Sequence, residues 1–277
     1  MKKYIVTIII LFTIIILSIG GYFLYSKAKS NEGNSVDTLK SKCISELDYL
    51  NIEIIEIMNG LNNISYENFQ ITNKEVEVSK EESNTISENS IDSSVVEFQN
   101  IITEDKDKVD WQNIRGRVEN MYTSWTTILI DLTTLNVNRD NLLKYNQIMD
   151  TMIGNLEAEK KEECLKNGAD LYSLLVTYIQ DIFGDSNLIS LYKVKSNILY
   201  AYSRVDAKDW DSVNNYIQTA ISEFGNIMNN QVNNINDIDS INKAYVLINE
   251  LKEDAVNKTG SVFYINYKNL MQELENM

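Results

Sequence analysis

The sequence contains no histidine and no proline. Without histidine it cannot build a Ser-His-Asp or Cys-His nucleophile, an HExxH zinc site or the Glu-x-x-His ligands of a ferritin-type di-iron centre. Without proline, and with only 10 glycines in 277 residues, it is poor in the turn residues that sandwiches and barrels need at short intervals. We therefore expect an all-α fold and a protein that is not an enzyme.

Cysteine is almost as scarce, with only Cys43 and Cys164. Two cysteines do not make a disulfide framework. Export to an oxidising compartment would permit one bridge between them, because such compartments allow disulfides to persist. The alternative is that both are buried and behave as small apolar residues.

Positive charge is also scarce, and the formal net charge is −15. A chain this acidic is a poor partner for nucleic acid, whose phosphates need a basic surface. The acidity fits a solvated surface or a basic partner. The most basic stretch is Arg115-Gly116-Arg117, with Arg139 nearby. Arg115 and Arg117 lie about 200° apart on a helix, so they do not form one patch.

The longest hydrophobic stretch runs from Tyr4 to Tyr25, 22 residues without a charge. As a helix it would be about 33 Å long, enough to cross a hydrocarbon core of about 30 Å. A cleaved signal peptide would have a shorter apolar region, although Ser26-Lys27-Ala28 resembles a cleavage site. A lipoprotein would need a cysteine directly after the stretch. A buried core helix is the remaining alternative, but the apolar residues cover all faces of the stretch, which suits lipid better than a soluble core.

We interpret residues 4–25 as a transmembrane signal anchor. Residues 1–3 are then a cytoplasmic head and residues 26–36 an extracytoplasmic stalk. The flanking lysines, two on each side, do not decide the orientation by themselves. The long acidic remainder has no second apolar span, so we place the bulk of the chain outside a single-pass cell membrane.

Beyond the stalk, residues 37–71 contain an N-terminal amphipathic helix that Asp37 can cap. Residues 72–94 are acidic and rich in serine, and we interpret them as a flexible linker because they offer little apolar surface to offset the entropy of ordering. From residue 95 onward the apolar spacing is helical. It predicts helices at 95–105, 110–135, 139–156, 158–183, 188–206, 209–231, 238–256 and 259–275.

Two segments correspond at a constant offset of 99 residues. Asp110-Trp111 pairs with Asp209-Trp210, and Trp125 pairs with Phe224. The apolar positions between and beyond them keep the same register, as do the predicted N-caps Asn138 and Asp237. We therefore predict a tandem duplication of a four-helix unit, with a first repeat at 95–186 and a second at 187–277.

Few residues are candidates for chemistry. Asp131 and Glu223 lie within apolar helical stretches and are the first carboxylates to consider for acid–base work. Their partners at the offset of 99 are Asn230 and Ser124, so the repeat does not preserve them. Tyrosine could form a binding surface or fill the core, and the residues concerned are Tyr172, Tyr178, Tyr192, Tyr200, Tyr202, Tyr264 and Tyr267.

The two Trp positions and the stretch ENMYTSWTTILIDLTTLNVNRDNLLKYNQIMDTM resemble an uncharacterised family of membrane-anchored or lipoprotein-like helical envelope proteins of low-GC Gram-positive bacteria. The resemblance covers roughly residues 95–277. It implies export and a helical fold, and it implies no activity, cofactor or site residues. This chain departs from the lipoprotein-type members because it lacks a lipobox cysteine.

These features predict a membrane-anchored extracytoplasmic protein with a non-enzymatic interaction or scaffold role in the cell envelope. The alternative is a ligand-binding or sensor subunit that works with a separate signalling partner, since only Met1 to Lys3 would remain inside the cell. A third reading is a carboxylate-based envelope enzyme. The sequence assigns no catalytic, cofactor-binding or metal-ligating residue. It predicts a membrane and an envelope protein as partners, and no nucleic acid.

Overall fold

A computed structural model describes residues 36–64, 109–184, 187–230 and 238–277. Within these residues the fold is all-α, with eight helices and no strand, which confirms the predicted fold class. The helices are α1 (36–61), α2 (Trp111–Thr134), α3 (Arg139–Glu157), α4 (Lys161–Phe183), α5 (Asn187–Tyr202), α6 (Trp210–Asn230), α7 (Ile238–Asn257) and α8 (Gly260–Glu275).

Several sequence-based predictions fall outside the described residues. They are the span at 4–25, almost all of the stalk at 26–36, the linker at 72–94, the helix at 95–105 and the cap Asp237. In the part of the chain that the structure describes, no helix has both the length and the hydrophobicity required to cross a bilayer.

Three helices begin at side chains that cap them. The carboxylate of Asp110 accepts a hydrogen bond from the backbone N–H of Asn113 at 3.0 Å, and Asp209 accepts one from Ser212 at 3.3 Å. Asn138 accepts from two backbone N–H groups at the start of α3, as predicted. Asp37 is not the cap of α1, because the helix is already formed at Val36 and Asp37 lies in its first turn.

Glycine has two different uses in α4. Gly184 ends the helix with φ 72°, a conformation that favours a residue without a side chain. From the sequence alone, Gly168 can be either a helix break or a helical residue that costs about 1 kcal/mol relative to alanine, and the structure places it inside the helix. A Cβ atom at Gly168 would come within 2.7 Å of Met58 Cγ. The missing side chain therefore lets α4 pack closely against α1.

We call α1 to α4 the first unit and α5 to α8 the second unit. Each helix from α2 to α8 packs on its neighbours in the chain, and α5 also packs on α8, which closes a unit of α5 to α8. In the other unit, α1 contacts α2 where Gly60 faces Ile114, and it contacts α4 where Met58 faces Gly168. The predicted N-terminal helix thus packs against two helices of the predicted first repeat.

Helices α1 and α5 lie side by side at the junction of the two units. The hydroxyl of Tyr192 donates to the Asp48 carboxylate, and ten residues further on the hydroxyl of Tyr202 approaches Met58 O at 3.4 Å. Because both contacts join residues 144 positions apart, the two helices run in the same direction. From α8, Tyr267 donates to Asn59 Oδ1 at 3.2 Å.

The second unit repeats the spacing of the first. The starts of α6, α7 and α8 follow the starts of α2, α3 and α4 by 99 residues in each case. A polar contact between helices recurs at the same spacing. Asn155 Nδ2 donates to Asn167 at 2.9 Å between α3 and α4, and Asn266 Nδ2 donates to Asp254 at 2.8 Å between α7 and α8.

Aromatic rings fill the core of the first unit. Trp125 stacks on Tyr145 with ring centroids 4.0 Å apart, and the centroid of the Tyr178 ring lies 6.0 Å from that of Trp125. The predicted stripe on α2 is buried at Ile114, Val118, Met121, Trp125, Ile128 and Leu132. The Tyr178 hydroxyl donates to Asn141 O at 2.7 Å. The buried Tyr145 hydroxyl has no hydrogen-bond partner within the described ranges.

We expect opposite effects of removing these two hydroxyls. Tyr145→Phe should raise the free energy of unfolding by about 1 kcal/mol, because it removes a buried polar group that has no partner. Tyr178→Phe should lower it by about 1 kcal/mol, because it breaks a hydrogen bond. Urea denaturation followed by circular dichroism measures both. A loss of stability in Tyr145→Phe as large as that in Tyr178→Phe would contradict this assignment.

Candidate functional site

An open cleft of about 540 Å³ lies at the junction of the two units. Its walls come from α1 and α4 of the first unit and from α5 and α8 of the second. This size and this position between packed units are typical of small-molecule sites. It is lined by Asp48, Asn51, Ile52, Ile55, Glu56, Tyr172, Leu188, Leu191, Tyr192, Lys195, Leu274, Glu275 and Met277.

Asn51 is the most unusual residue of the cleft. It is only 4% exposed, and both its amide nitrogen and its amide oxygen lack a hydrogen-bond partner among the described residues. Leaving a buried polar group unsatisfied costs about 1–3 kcal/mol. The fold therefore keeps a buried donor and a buried acceptor without a partner on a residue that lines this cleft.

Charged side chains of both signs line the same cleft. Burial lowers the pKa of Lys195, while the carboxylates of Glu275 and Asp48 act against that shift. Burial raises the pKa of Glu275, with Lys195 acting against it and Glu56 adding to it. For Lys195 and Glu275 the loss of solvation outweighs their mutual attraction. Neither charge is fully compensated by the protein around it.

Two further acidic groups of the cleft, Asp48 and Glu56, have partners. Asp48 accepts a hydrogen bond from the Tyr192 hydroxyl, and burial together with that contact raises the pKa of Tyr192. Glu56 lies 3.8 Å from the guanidinium of Arg117, which also bonds Glu53 at 3.1 Å. Burial nevertheless raises the pKa of Glu56.

A buried lysine lies on the far side of Glu56. Lys268 in α8 is 2% exposed, and burial lowers its pKa to about 8 although the negative charge of Glu56 acts in the opposite direction. Charged groups thus continue from the cleft into the contact between α1, α2 and α8. Such groups cost stability unless they are paired, which makes this layer sensitive to pH.

The cleft walls between these polar groups are apolar. Ile52 and Leu188 are 56% and 43% exposed, which is high for residues of this size, and they flank the opening. Ile55 and Leu274 are buried and form part of the deeper wall. A ligand that combined a charged group with an apolar body would cover both kinds of surface.

A second cluster combines Cys43, Glu46 and Asp131, whose possible ligand atoms lie within 4.8 Å of one another. The ammonium of Lys42 bonds Asp131 at 2.5 Å and Glu46 at 3.3 Å, so it holds the position that a cation would take. Burial and the two carboxylates raise the pKa of the Cys43 thiol to about 11. This is unfavourable for a thiolate ligand or nucleophile, and the cluster is explained as an ion-paired contact between α1 and α2.

The two carboxylates singled out from the sequence do not come together. Asp131 is half-buried as expected and belongs to the Lys42 contact, whereas Glu223 in α6 accepts from Asn226 at 3.4 Å. The two arginines also point to different partners. Arg117 binds α1, and Arg115 donates to Leu156 O and Glu159 near the end of α3, both at 3.2 Å. Neither arginine is simply solvated.

The seven tyrosines mostly pack in the core. Six of the hydroxyls reach polar partners, for example Tyr200 to Asp170 and Tyr264 to Asp206. Two of the seven, the buried Tyr172 and the half-buried Tyr192, also line the cleft. The two cysteines, Cys43 and Cys164, are free and buried, so the second of the two sequence-based alternatives is the correct one.

Sequence reasoning missed Asn51, Lys195 and Glu275. Asn51 carries a visible signal, because it falls on the apolar stripe of α1, four residues after Leu47 and three before Ile54. Lys195 and Glu275 lie 80 positions apart in the sequence, and only the packing of α5 against α8 brings both into one cleft.

No protein-family model, no curated protein and no solved structure matches this chain. The cleft is therefore assigned from the chain's own residues, and the resemblance of residues 95–277 to an envelope family stays a prediction.

Replacing Asn51 tests whether its amide is kept at the expense of stability. We expect Asn51→Leu to raise the free energy of unfolding by about 1–3 kcal/mol, because an apolar side chain of similar volume removes an unsatisfied buried amide. Asn51→Asp should lower it, because the new carboxylate would be buried without a partner. Both changes are measured by urea unfolding. A destabilised Asn51→Leu would show that the amide has a stabilising partner.

The titration of Lys268 tests the electrostatics below the cleft. Burial lowers the pKa of Lys268 from 10.5 in the unfolded chain to about 8 in the folded chain. Its contribution to the free energy of unfolding is therefore fully present above pH 10.5 and is lost as the pH falls through 8. Side-chain NMR should show Lys268 titrating near pH 8, with the resonance assigned by its loss in Lys268→Met. Lys42, whose pKa is raised by its bonds to Asp131 and Glu46, is the internal control. Titration of both lysines above pH 10 would contradict the result.

Proposed function

We propose that this protein is a membrane-anchored, extracytoplasmic helical protein with a non-enzymatic binding role in the cell envelope. The observation that carries the binding role is the cleft at the junction of the two units, with the unpartnered amide of Asn51 in its wall. The cleft favours the ligand-binding form of this role over a plain scaffold, because a scaffold needs no concave site with uncompensated charges.

The membrane anchor rests on the sequence. Residues 4–25 carry no charge and are long enough to span a bilayer as a helix. We place residues 1–3 on the cytoplasmic side and the body outside, and a ligand bound in the cleft would be reported through a separate protein partner in the envelope.

The proposal includes a tandem duplication. Besides the spacing of 99, the turn after α1 recurs after α5 at a spacing of 145. Ile64 N donates to Asn59 O, and Asp209 N donates to Arg204 O. Asn63 and Lys208 both have positive φ, at 52° and 56°. The same turn also ends α2, α3 and α7, so it does not by itself pair α1 with α5. The proposed first unit of α1 to α4 rests on the contacts of α1 with α2 and α4.

The two spacings also locate a difference between the units. In the second unit the turn after α5 leads directly to the cap Asp209, whereas the first unit has residues 65–109 between the corresponding turn and the cap Asp110. The acidic stretch at 72–94 falls within this interval. We therefore propose that it was inserted into the first unit.

A carboxylate-based enzyme is the less favoured alternative. It would need one carboxyl group as an acid and a second as a base or nucleophile. Burial raises the pKa of Glu275, as a general acid requires. Asp48 in the same cleft, however, accepts a hydrogen bond from the Tyr192 hydroxyl and holds α1 against α5.

Protease shaving tests the location. We expect the full chain, tagged at its C-terminus and produced in a Gram-positive host, to fractionate with membranes, because residues 4–25 would hold it there. Protease added to intact cells should remove the tag. A variant lacking residues 4–25 is the control and should stay in the soluble, protected fraction. A full-length chain found free in the cytosol, or a tag that resists protease until the cells are lysed, would contradict the proposed location.

A further inference from the structure

The cleft has properties that define the chemistry of its ligand. Four helices meet there, one buried amide has no partner in the described part of the chain, and apolar side chains flank the opening. The inference below rests on the ligand-binding role proposed above and names the class of ligand.

The charges of the cleft favour a cation. Three carboxylates line it, those of Asp48, Glu56 and Glu275, together with the single ammonium of Lys195. Lys195 is stabilised by two of these carboxylates, Glu275 and Asp48. Glu275 has one opposing charge, Lys195, and a second carboxylate, Glu56, that repels it. A further positive charge beside Glu275 would therefore lower the electrostatic energy, whereas a further negative charge would raise it.

The field of the whole chain acts in the same direction. With a net charge of −15, the protein attracts cations and repels anions on approach. Asp48 and Glu275 also both act on Tyr172, which places negative potential from two helices at the same wall.

The uncharged part of the cleft selects the body of the ligand. An apolar group of the ligand would cover the exposed side chains of Ile52 and Leu188, and removing this apolar surface from water is favourable. The amide of Asn51 can both donate and accept. The volume of about 540 Å³ accommodates a small molecule rather than a protein helix.

We propose that this cleft binds a small amphipathic organic cation. Its ammonium lies between Glu275 and the amide of Asn51, and its apolar body covers Ile52 and Leu188.

Three probes have a similar apolar body and differ in the charge of their polar end, so that they test the effect of that charge on binding. They are phenylbutylamine, phenylbutyrate and phenylbutanol. Each is titrated into the full chain in nanodiscs, with empty nanodiscs as the blank, and methyl NMR of Ile52, Leu188 and Leu274 reports where it binds. We expect the amine to bind about tenfold more tightly than the alcohol, and the carboxylate to bind most weakly.

Variants then test each group. Glu275→Gln should weaken the amine about tenfold and leave the alcohol unchanged, whereas Lys195→Met should leave the amine bound as tightly or more tightly. Asn51→Leu should weaken all probes that bind. Asn62→Leu is the matched control, because Asn62 is an equally buried, unpartnered asparagine that does not line the cleft. Thermal unfolding checks that every variant is folded.

The two levels of the proposal fail differently. If the carboxylate binds most tightly and Lys195→Met abolishes its binding, the cation is wrong and the ligand-binding role stands. If no probe shifts the cleft methyl groups, the cleft is not a ligand site, and both the cation and the ligand-binding role are overturned. If Asn51→Leu and Asn62→Leu bind the amine alike, the contact assigned to Asn51 is wrong.

Discussion

The hydroxyl of Tyr267 in α8 donates to the buried side-chain oxygen of Asn59 in α1, and the two residues are 208 positions apart. The Tyr202 ring of α5 stacks on Tyr267 at 4.0 Å, and its own hydroxyl approaches Met58 O. These contacts hold helices of the second unit against α1, because each buried polar group would lose its partner if the units separated. The position of the cleft follows from this junction, since α1, α5 and α8 supply most of its walls.

The helices could be predicted from the sequence because their signals are local. Asn138 at a cap, Gly184 at an end and the stripe from Ile114 to Leu132 each act within a few turns of the chain. Gly168 shows the limit of such signals. From the sequence, this residue can be a helix break or a helical residue. The structure explains a glycine inside α4, because the Met58 side chain of α1 leaves no room for a Cβ atom there.

The candidate site depends on contacts between helices, which periodicity does not reveal. The half-buried position of Asp131 was predictable from its apolar neighbours, but its partner Lys42 lies 89 residues away. Likewise, the apolar stripe of α1 marks Asn51 as a buried polar residue, while its lack of a partner depends on what α4, α5 and α8 place around it. Local pattern therefore indicates which side chains are buried, and the packing of the two units determines what each one meets.

The long distances between α1 and its partners affect how the protein reaches its native state. Helix α1 is synthesised first, but Asn59 meets Tyr267 only after about 10–40 s more of translation at usual bacterial rates. The unit of α5 to α8 is continuous in sequence and closes on itself, so it can condense through short-range contacts. The part of α1 that packs against α5 and α8 stays uncovered until those helices are made, and such transiently exposed apolar surface favours aggregation of a nascent chain.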